Sequence, residues 1–295
     1  MIENELVKRY KKLGCNCKNI KLKDSLRINT LKITEKELVE RLKKINVKLK
    51  KIPFTDTGYF YESKFSLAST TEYLQGYIYI QEAASQLPAQ ILNPEEKDII
   101  LDMAASPGSK TTHLAAIMNN KGTIIAIDND SRRLLSLRNN LERCGVKNTI
   151  LYKKDARFIT DFGIEFDKIL LDAPCSGNYV IEENFLKTKN IYGILERARI
   201  QKELLKAAVN VLKKHGILVY STCSLEPEEN EMNIDWLIKK YPEMKIEEIT
   251  INIGDPGLTN IFGKKLNTEI RKTKRFWPEK TGTEGFYIAK LRKTK

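Results

Sequence analysis

Apolar and polar positions follow two different patterns along this chain of 295 residues, and the change comes near Asp98. Beyond that point, short apolar runs of strand length alternate with longer amphipathic stretches of helical length. The predicted strands are DIILDMA, GTIIAIDND, NTILYKKD, FDKILLDAP, ILVYSTCS and FYIAKLRK. Apolar strands that alternate with helices in this way are typical of a doubly wound α/β sheet.

Four helices are predicted between these strands, and glycine marks the ends of two of them, because glycine commonly follows the last helical residue. They are SKTTHLAAIMNN, SRRLLSLRNNLERCG ending at Gly145, ILERARIQKELLKAAVNVLKKHG ending at Gly216, and a helix from Pro227 to Lys240.

The first eighty residues predict a smaller α+β module. Residues 1–12 are predicted to be helical, and Thr34 with Glu37 forms a capping box at the start of TEKELVERLKKIN. The runs LRINTLKIT, VKLKKIPF and GYFYES are predicted strands, and a helix over QEAASQLPAQIL, kinked at Pro88, leads into the second part. We therefore expect a small module over 1–80 and an α/β domain over 81–295.

Charge is distributed unevenly around a net charge of +13. Residues 1–51 hold 16 Lys and Arg against 6 Asp and Glu, and residues 264–295 hold 11 against 3. The middle holds 24 against 29, so two basic ends flank a mildly acidic body. Basic clusters of this kind favour a polyanionic partner such as nucleic acid, although a lysine-rich solvated surface would have the same composition.

Cysteine content and hydropathy bound the compartment. Five cysteines in so long a chain do not make a disulfide scaffold, and Cys15-x-Cys17 has no second ligand pair nearby, so no metal site is expected. The start, MIENELVKRYKK, lacks the apolar core of a signal peptide, and no apolar run is long enough to span a membrane. We expect a soluble, cytoplasmic protein without an obligate protein partner.

Two cysteines lie where chemistry is more plausible than packing. Cys175 follows the strand in KILLDAPCSG, and Cys223 follows the strand in ILVYSTCSLEP, each at a polar turn. Ligands of open α/β sheets bind at the carboxyl ends of the strands. Cys144, next to Gly145, instead fits a buried core cysteine.

The turn after the first strand of the sheet, LDMAASPGSKTTHLA, indicates the type of cofactor. It lacks the G-x-G-x-x-G motif, and Met103 stands where a P-loop needs its first glycine. Its small residues allow close backbone approach, and the following helix N-terminus favours a carboxylate. Asp128 and Asp155 end the next two strands, where they could meet ribose and adenine. This pattern fits S-adenosyl-L-methionine.

Taken together, DAPCSG, STCSLEPEENE and LDMAASPGSKT resemble the motifs of the Nol/Nop/Sun family of RNA cytosine-5 methyltransferases, in particular a short archaeal-type tRNA methyltransferase. RINTLK, YIQEAASQLPAQIL and RFWPEKTGTEGFYIAKL extend the resemblance through nearly the whole chain. One departure is Glu279, which stands where the family often has histidine. The resemblance implies a Rossmann-like methyltransferase sheet behind a small RNA-binding module.

The resemblance also implies roles for individual residues. Cys223 is expected to be the nucleophile, Cys175 to assist later steps, and Asp172 to contact the target cytosine, with Lys110 counted among the catalytic residues. Binding of S-adenosyl-L-methionine is expected from Ala104, Ala105, Ser106, Pro107, Gly108, Ser109, Lys110, Asp128, Arg133, Asp155 and Asp172.

The chemistry requires a strong nucleophile, since carbon 5 of cytosine reacts only after a thiolate has added to carbon 6. We expect the helix after Cys223 to lower the pKa of that thiol. Afterwards, a second thiol could assist elimination of the enzyme sulfur.

Other functions fit less well. A methyltransferase of exocyclic amines would carry Asn/Asp-Pro-Pro-aromatic at residues 172–175, and a zinc deaminase would need a second cysteine where Asn178 stands. A non-catalytic RNA-binding or assembly factor remains an alternative. Transfer RNA is the favoured substrate, because the chain lacks a bulky ribosome-targeting extension, and ribosomal RNA stays open.

Overall fold

The N-terminal part of the computed structural model is a small antiparallel sheet flanked by helices. The structure describes residues 5–15, 20–180 and 184–295. The four strands pair in the order β2-β3-β1-β4. The elements are α1 (Glu5–Lys12), β1 (Ser25–Ile28), α2 (Glu35–Lys44), β2 (Lys48–Lys51), β3 (Gly58–Glu62), α3 (Thr71–Leu74) and β4 (Ile78–Ile80).

The capping box predicted for α2 is confirmed. The Thr34 hydroxyl accepts the backbone N–H of Glu37, and the Glu37 carboxylate accepts the backbone N–H of Thr34 at 3.2 Å. The predicted strand LRINTLKIT is shorter than expected, because the Asn29 side chain leaves the sheet to bond the carbonyls of Gly76 and Cys144. Residues 1–4 of the first predicted helix, and the Cys17 half of Cys-x-Cys, lie outside the described residues.

A nine-stranded sheet forms the larger part, in the order β11-β14-β15-β9-β8-β5-β6-β7, with β10 also paired to β15. Strands β9, β8, β5, β6 and β7 run parallel, and β15 is antiparallel to β9. This is the predicted α/β sheet. Its elements are α4 (Leu87–Leu92), β5 (Ile99–Asp102), α5 (Ser109–Ile117), β6 (Thr123–Asp128), α6 (Ser131–Cys144), β7 (Thr149–Lys153), β8 (Phe166–Asp172), α7 (Phe185–Thr188), α8 (Ile191–Val211), β9 (Leu212–Thr222), α9 (Glu231–Lys240), β10 (Met244–Glu247), β11 (Asp255–Pro256), β12 (Asn260–Ile261), β13 (Lys264–Lys265), β14 (Lys274–Phe276), α10 (Pro278–Thr281) and β15 (Phe286–Lys293).

Three predicted helix boundaries are wrong. Helix α8 ends at Val211 instead of Gly216, because Leu212 already pairs with Phe166 in the sheet. The helix predicted from Pro227 begins only at α9, after a turn. The helix with a kink at Pro88 is a 3₁₀ turn followed by α4, and Pro88 sits in the first turn of α4, where its missing N–H costs nothing.

Apolar side chains pack on both faces of the large sheet, and a separate cluster fills the small module. Cys144 is buried, as predicted, at the end of α6, and Gly145 caps that helix with a positive φ of 73°. Helix α1 contributes Leu6 and Tyr10 to the core of the large sheet. Helix α1, although it precedes the small sheet in the chain, therefore packs against the large sheet.

A fully buried ion pair holds the loop that follows β9. The Arg275 guanidinium donates to both carboxylate oxygens of Glu231, with Nε 2.7 Å from Oε1, and its Nη1 donates to the carbonyl of Leu225 at 2.8 Å. Neither side chain of the pair is exposed. The pair joins α9 and β14 to the segment just after Cys223.

Removal of one partner should therefore be costly. We expect Glu231→Ala to lower the free energy of unfolding by about 3–5 kcal/mol, because an uncompensated guanidinium would stay buried. Glu269→Ala, which breaks an exposed pair with Lys272, should change it by about 1 kcal/mol or less. Urea denaturation of the two variants checks this, and equal losses would contradict it.

Candidate active site

The two cysteines singled out by their motifs lie together at the carboxyl edge of the sheet. Strands β8 and β9 are paired so that Asp172 stands opposite Ser221. The chain leaving β8 carries Cys175, and the chain leaving β9 carries Cys223. Their Sγ atoms are 3.1 Å apart, and both are free cysteines. The structure thus places two thiols within contact of each other.

An ion pair lies beside the thiols. Lys110 Nζ is 2.6 Å from Asp172 Oδ2, and the Ser221 hydroxyl donates to Asp172 Oδ1 at 2.6 Å. Lys110 Nζ also donates to the Ser85 hydroxyl at 3.1 Å. Lys110 is buried, whereas the Asp172 side chain keeps 29% of its surface exposed. The carboxylate is therefore fixed on one side and accessible on the other.

A buried pair of carboxyl groups, which the sequence analysis missed, adjoins this ion pair. Glu82 accepts the backbone N–H of Ala84 at 2.6 Å and that of Glu284 at 3.1 Å. Burial raises the pKa of Glu82, and burial together with Glu82 raises the pKa of Glu284 well above its usual range, with Lys110 opposing. The backbone donors stabilise charge on Glu82, so Glu284 is the member of the pair that keeps a proton more readily.

In the sequence, the one feature that could have pointed to Glu82 and Glu284 is that each lies within a motif of the family resemblance. Glu82 lies in YIQEAASQLPAQIL and Glu284 in RFWPEKTGTEGFYIAKL. The two are far apart along the chain, and neither follows a predicted strand end.

The environment of Cys223 raises the pKa of its thiol. A hydrogen bond with Cys175 and burial hold it well above its usual range, Asp172 adds to the increase, and Lys110 opposes it. The prediction that a following helix lowers this pKa is wrong, because α9 begins only at Glu231, after an intervening turn. At neutral pH the thiol is therefore protonated in this state of the protein.

A buried glutamate ties the two cysteine loops together. Glu229 accepts the backbone N–H of Ser176 at 3.1 Å, the hydroxyl of Ser224 at 3.0 Å and the amide of Gln201 at 2.7 Å. Ser176 and Ser224 each follow one of the cysteines directly. Because one carboxylate makes all three bonds, Glu229 fixes the position of the Cys175 loop relative to the Cys223 loop.

A cavity of about 480 Å³ opens next to the thiols. Its lining includes Cys175 and Cys223 together with part of the predicted cofactor set, namely Ala104, Ser106, Asp128, Arg133, Asp155 and Asp172. The other members of that set do not line it; they are Ala105, Pro107, Gly108, Ser109 and Lys110.

The members that do not line the cavity lie in the loop after β5 and at the start of α5. Gly108 caps that helix with a φ of 105°, and a Cβ added there would lie 2.9 Å from a Leu137 methyl group. Arg133 holds this loop in place, since its guanidinium donates to the Ser106 carbonyl at 3.0 Å and lies 3.5 Å from Asp128.

Two acids close the far side of the cavity. Asp128 ends β6 and is buried, and Asp155 follows β7. Arg157 lies 2.6 Å from Asp155, and this hydrogen bond holds the pKa of Asp155 below its usual value. Both acids are therefore acceptors at the positions where the sequence predicted hydroxyl and amino groups.

Glu279 is the departure from the family motif. It accepts a hydrogen bond from the Tyr179 hydroxyl at 3.4 Å and one from the Cys15 thiol at 3.6 Å. It does not line the cavity. Within the described ranges, no three His, Cys, Asp or Glu side chains could hold a metal ion, and no helix there is long and apolar enough to cross a membrane.

The raised pKa of Cys223 predicts how its alkylation depends on pH. Only the thiolate reacts, so the rate should rise about tenfold per pH unit from 6 to 8 without a plateau. Asp172→Asn should speed the reaction at each pH and Lys110→Gln should slow it, because these two charges shift the pKa in opposite directions.

Mass spectrometry of the Cys223 peptide after iodoacetamide pulses measures this rate. Lys121→Gln, which removes an exposed cation paired with Glu96, is the control and should leave it unchanged. A plateau below pH 8, or shifts of the same sign in both site variants, would contradict the electrostatic account.

Comparisons with known proteins agree with this site and fold. Residues 89–292 match the family model described as 16S rRNA methyltransferase RsmB/F, and residues 2–83 match the N-terminal domain of 16S rRNA methyltransferase RsmF. The tRNA (cytosine(49)-C(5))-methyltransferase of Pyrococcus abyssi is 39% identical over 99% of this chain and 96% of its own length. The tRNA (cytosine(72)-C(5))-methyltransferase of Pyrococcus horikoshii is 45% identical over 79% of this chain, which spans 57% of that protein.

Solved structures confirm the fold. A methyltransferase homolog from Pyrococcus horikoshii superimposes with a TM-score of 0.86 at 44% identity, over 93% of this chain and 87% of that one. NSun6 from Pyrococcus horikoshii, solved with SFG, superimposes with a TM-score of 0.84 at 33% identity, over 99% and 94%. These matches confirm the resemblance to the Nol/Nop/Sun enzymes and the Rossmann-like methyltransferase sheet. The chain belongs to the RsmB/F, or Nol/Nop/Sun, family of methyltransferases.

Proposed function

We propose that the protein transfers a methyl group from S-adenosyl-L-methionine to carbon 5 of cytosine in RNA. The observation that carries this proposal is the pair of thiols 3.1 Å apart, beside the Lys110–Asp172 ion pair and at the wall of one cavity. A cytosine-5 transfer needs a sulfur to make a bond to the ring and a means of breaking it again. The site contains side chains for both tasks.

Transfer RNA is the substrate class that we favour. The relative from Pyrococcus abyssi, which is named for cytosine 49 of tRNA, matches almost end to end. The human 28S rRNA (cytosine(4447)-C(5))-methyltransferase is 40% identical, but the chain spans only 29% of its length. Ribosomal RNA remains the second candidate, because the matching family model is described by a 16S rRNA methyltransferase.

The residues around the cavity fit S-adenosyl-L-methionine. Ala104 and Ser106 offer small side chains and backbone at one end, Asp128 can accept ribose hydroxyls, and Asp155 can accept an adenine amino group. The likeness to the NSun6 structure that contains SFG, an analogue of this cofactor, supports the same choice. The bound cofactor would supply an electrophilic methyl group, and the chain's own residues prepare the base.

The base would be prepared by a sulfur and a carboxylate. Cys223 would give its proton to solvent as its sulfur adds to carbon 6, and the ring nitrogen next to carbon 4 would gain a proton, which makes carbon 5 nucleophilic. Asp172 is fixed by Lys110 and Ser221, so its accessible side can hold the pyrimidine edge through a ring nitrogen or exocyclic amine. After methylation, a base or solvent would take the proton on carbon 5, the carbon 5–carbon 6 double bond would re-form, and the Cys223 sulfur would leave as a thiolate. Cys175 is close enough to assist that departure.

Formation of methylcytosine tests the proposal directly. Incubation of the protein with S-adenosyl-L-methionine and total RNA should create new 5-methylcytosine, and bisulfite sequencing should map it to tRNA. The matched control is the same incubation with Cys223→Ala. No new methylcytosine in any RNA would refute the activity, whereas sites only in ribosomal RNA would refute the substrate.

The variants that lack one or the other thiol should lose activity in different ways. Cys223→Ala should abolish both methylation and covalent capture of RNA, because no other sulfur occupies its position. Cys175→Ala should capture RNA and release it slowly, so that a denaturant-stable adduct accumulates on gels. Cys144→Ala, which changes a buried cysteine at the end of α6, should behave as the unchanged protein. Identical behaviour of the first two variants would contradict the division of roles.

A further inference from the structure

A second cavity, of about 310 Å³, adjoins the first. It lies between the Cys175 loop and the first turns of α8. The two cavities share three lining residues, Cys175, Arg197 and Ile200. No residue assigned above to the cofactor lines the second cavity. Binding of the cofactor therefore does not account for this cavity.

Arg197 differs from the other arginines that line the first cavity. Arg133 lies 3.5 Å from Asp128, and Arg157 lies 2.6 Å from Asp155. Within the described part of the chain, Arg197 makes no hydrogen bond or ion pair, although it borders both cavities. Its guanidinium is thus exposed at their junction with its donors available to a ligand.

The residues that line the second cavity fit a phosphate group of a sugar-phosphate backbone. Among the described residues that line it, Arg197 and Glu196 carry opposite charges, Thr188 and Ser176 add hydroxyl groups, and Lys189 has an interaction of its own. A guanidinium presents planar, paired donors that match the oxygens of a phosphate. Because the shared wall is Cys175, whose sulfur touches that of Cys223, a ligand here would lie next to a base held against Cys223.

We propose that the second cavity binds the RNA nucleotide joined to the target cytosine, and that Arg197 binds the phosphate between the two. This inference rests on the function proposed above. A base held against Cys223 keeps its sugar-phosphate chain beside it, and the exposed guanidinium of Arg197, unpaired among the described residues, lines both cavities next to that position. Phosphate contacts of this kind position the RNA without reading its sequence.

The chain provides a matched control on the same helix. Arg199 lies two residues further along α8, lines neither cavity and is paired with Glu203 at 3.9 Å. We compare Arg197→Ala with Arg199→Ala in equilibrium binding of unmodified tRNA transcript over a salt series, and in steady-state kinetics.

Arg197→Ala should weaken RNA binding about tenfold, as expected for loss of a hydrogen bond to a charged group. The slope of log affinity against log salt should fall by about 0.7, because one phosphate contact to a single strand is lost. The KM for S-adenosyl-L-methionine should not change. Arg197→Lys should retain the slope but not the full affinity, and Arg199→Ala should match the unchanged protein.

Two results would overturn the assignment. One is an Arg197→Ala variant, folded by its melting temperature, with unchanged RNA affinity and salt slope; Arg197→Gln repeats the test if the alanine variant does not fold. The other is a raised KM for S-adenosyl-L-methionine instead of for RNA. Binding is measured without methyl transfer, so a protein that binds RNA but forms no methylcytosine would refute the proposed activity and leave the result for Arg197 standing.

Discussion

The parallel pairing of β8 with β9 is the constraint on which the site depends. Its register sets Asp172 opposite Ser221, which brings the serine hydroxyl to the carboxylate and sends the Cys175 and Cys223 loops off side by side. A shift of one residue would turn every side chain of a strand to the other face of the sheet. Ile169 and Leu171 pack on one face of β8 and Leu170 on the other, so such a shift would force both close-packed cores to repack, and core packing therefore also aligns the two thiols.

The second constraint is the balance of buried charge. Lys110 lies beside Asp172, the Glu82–Glu284 pair and Asp102, whose pKa burial raises to about 6. A buried site with more acids than bases lowers its energy by keeping protons. Burial thus raises the pKa of Glu82, Glu284 and Asp102, and for Cys223 it adds to the hydrogen bond with Cys175.

Strand ends were predictable from sequence, and long-range partners were not. Asp172 and both cysteines follow strongly apolar runs, so their meeting at one sheet edge follows from the rule for parallel sheets. Glu82 and Glu284 are 202 residues apart along the chain, and the pairing of β15 with β9 brings Glu284 to the site. The end of α8 was missed for a similar reason. Its helical period and the glycine stop continue to Gly216, and only pairing with β8 shows that the strand starts earlier.

Two sets of hydrogen bonds and ion pairs, one from β1 and one from α1, join the N-terminal residues to the loops of the site. The small module is therefore structurally coupled to the larger sheet. From β1, buried Arg27 donates to Thr112 at 2.8 Å and so holds the first turn of α5, next to the cofactor loop. From α1, Arg9 pairs with Glu228, and the Tyr10 hydroxyl donates to Glu226 at 2.6 Å, in the loop after Cys223. The division at residue 80 remains a prediction. RNA that contacts the small module would therefore contact a part of the chain that already holds α5 and the loop after Cys223 in place.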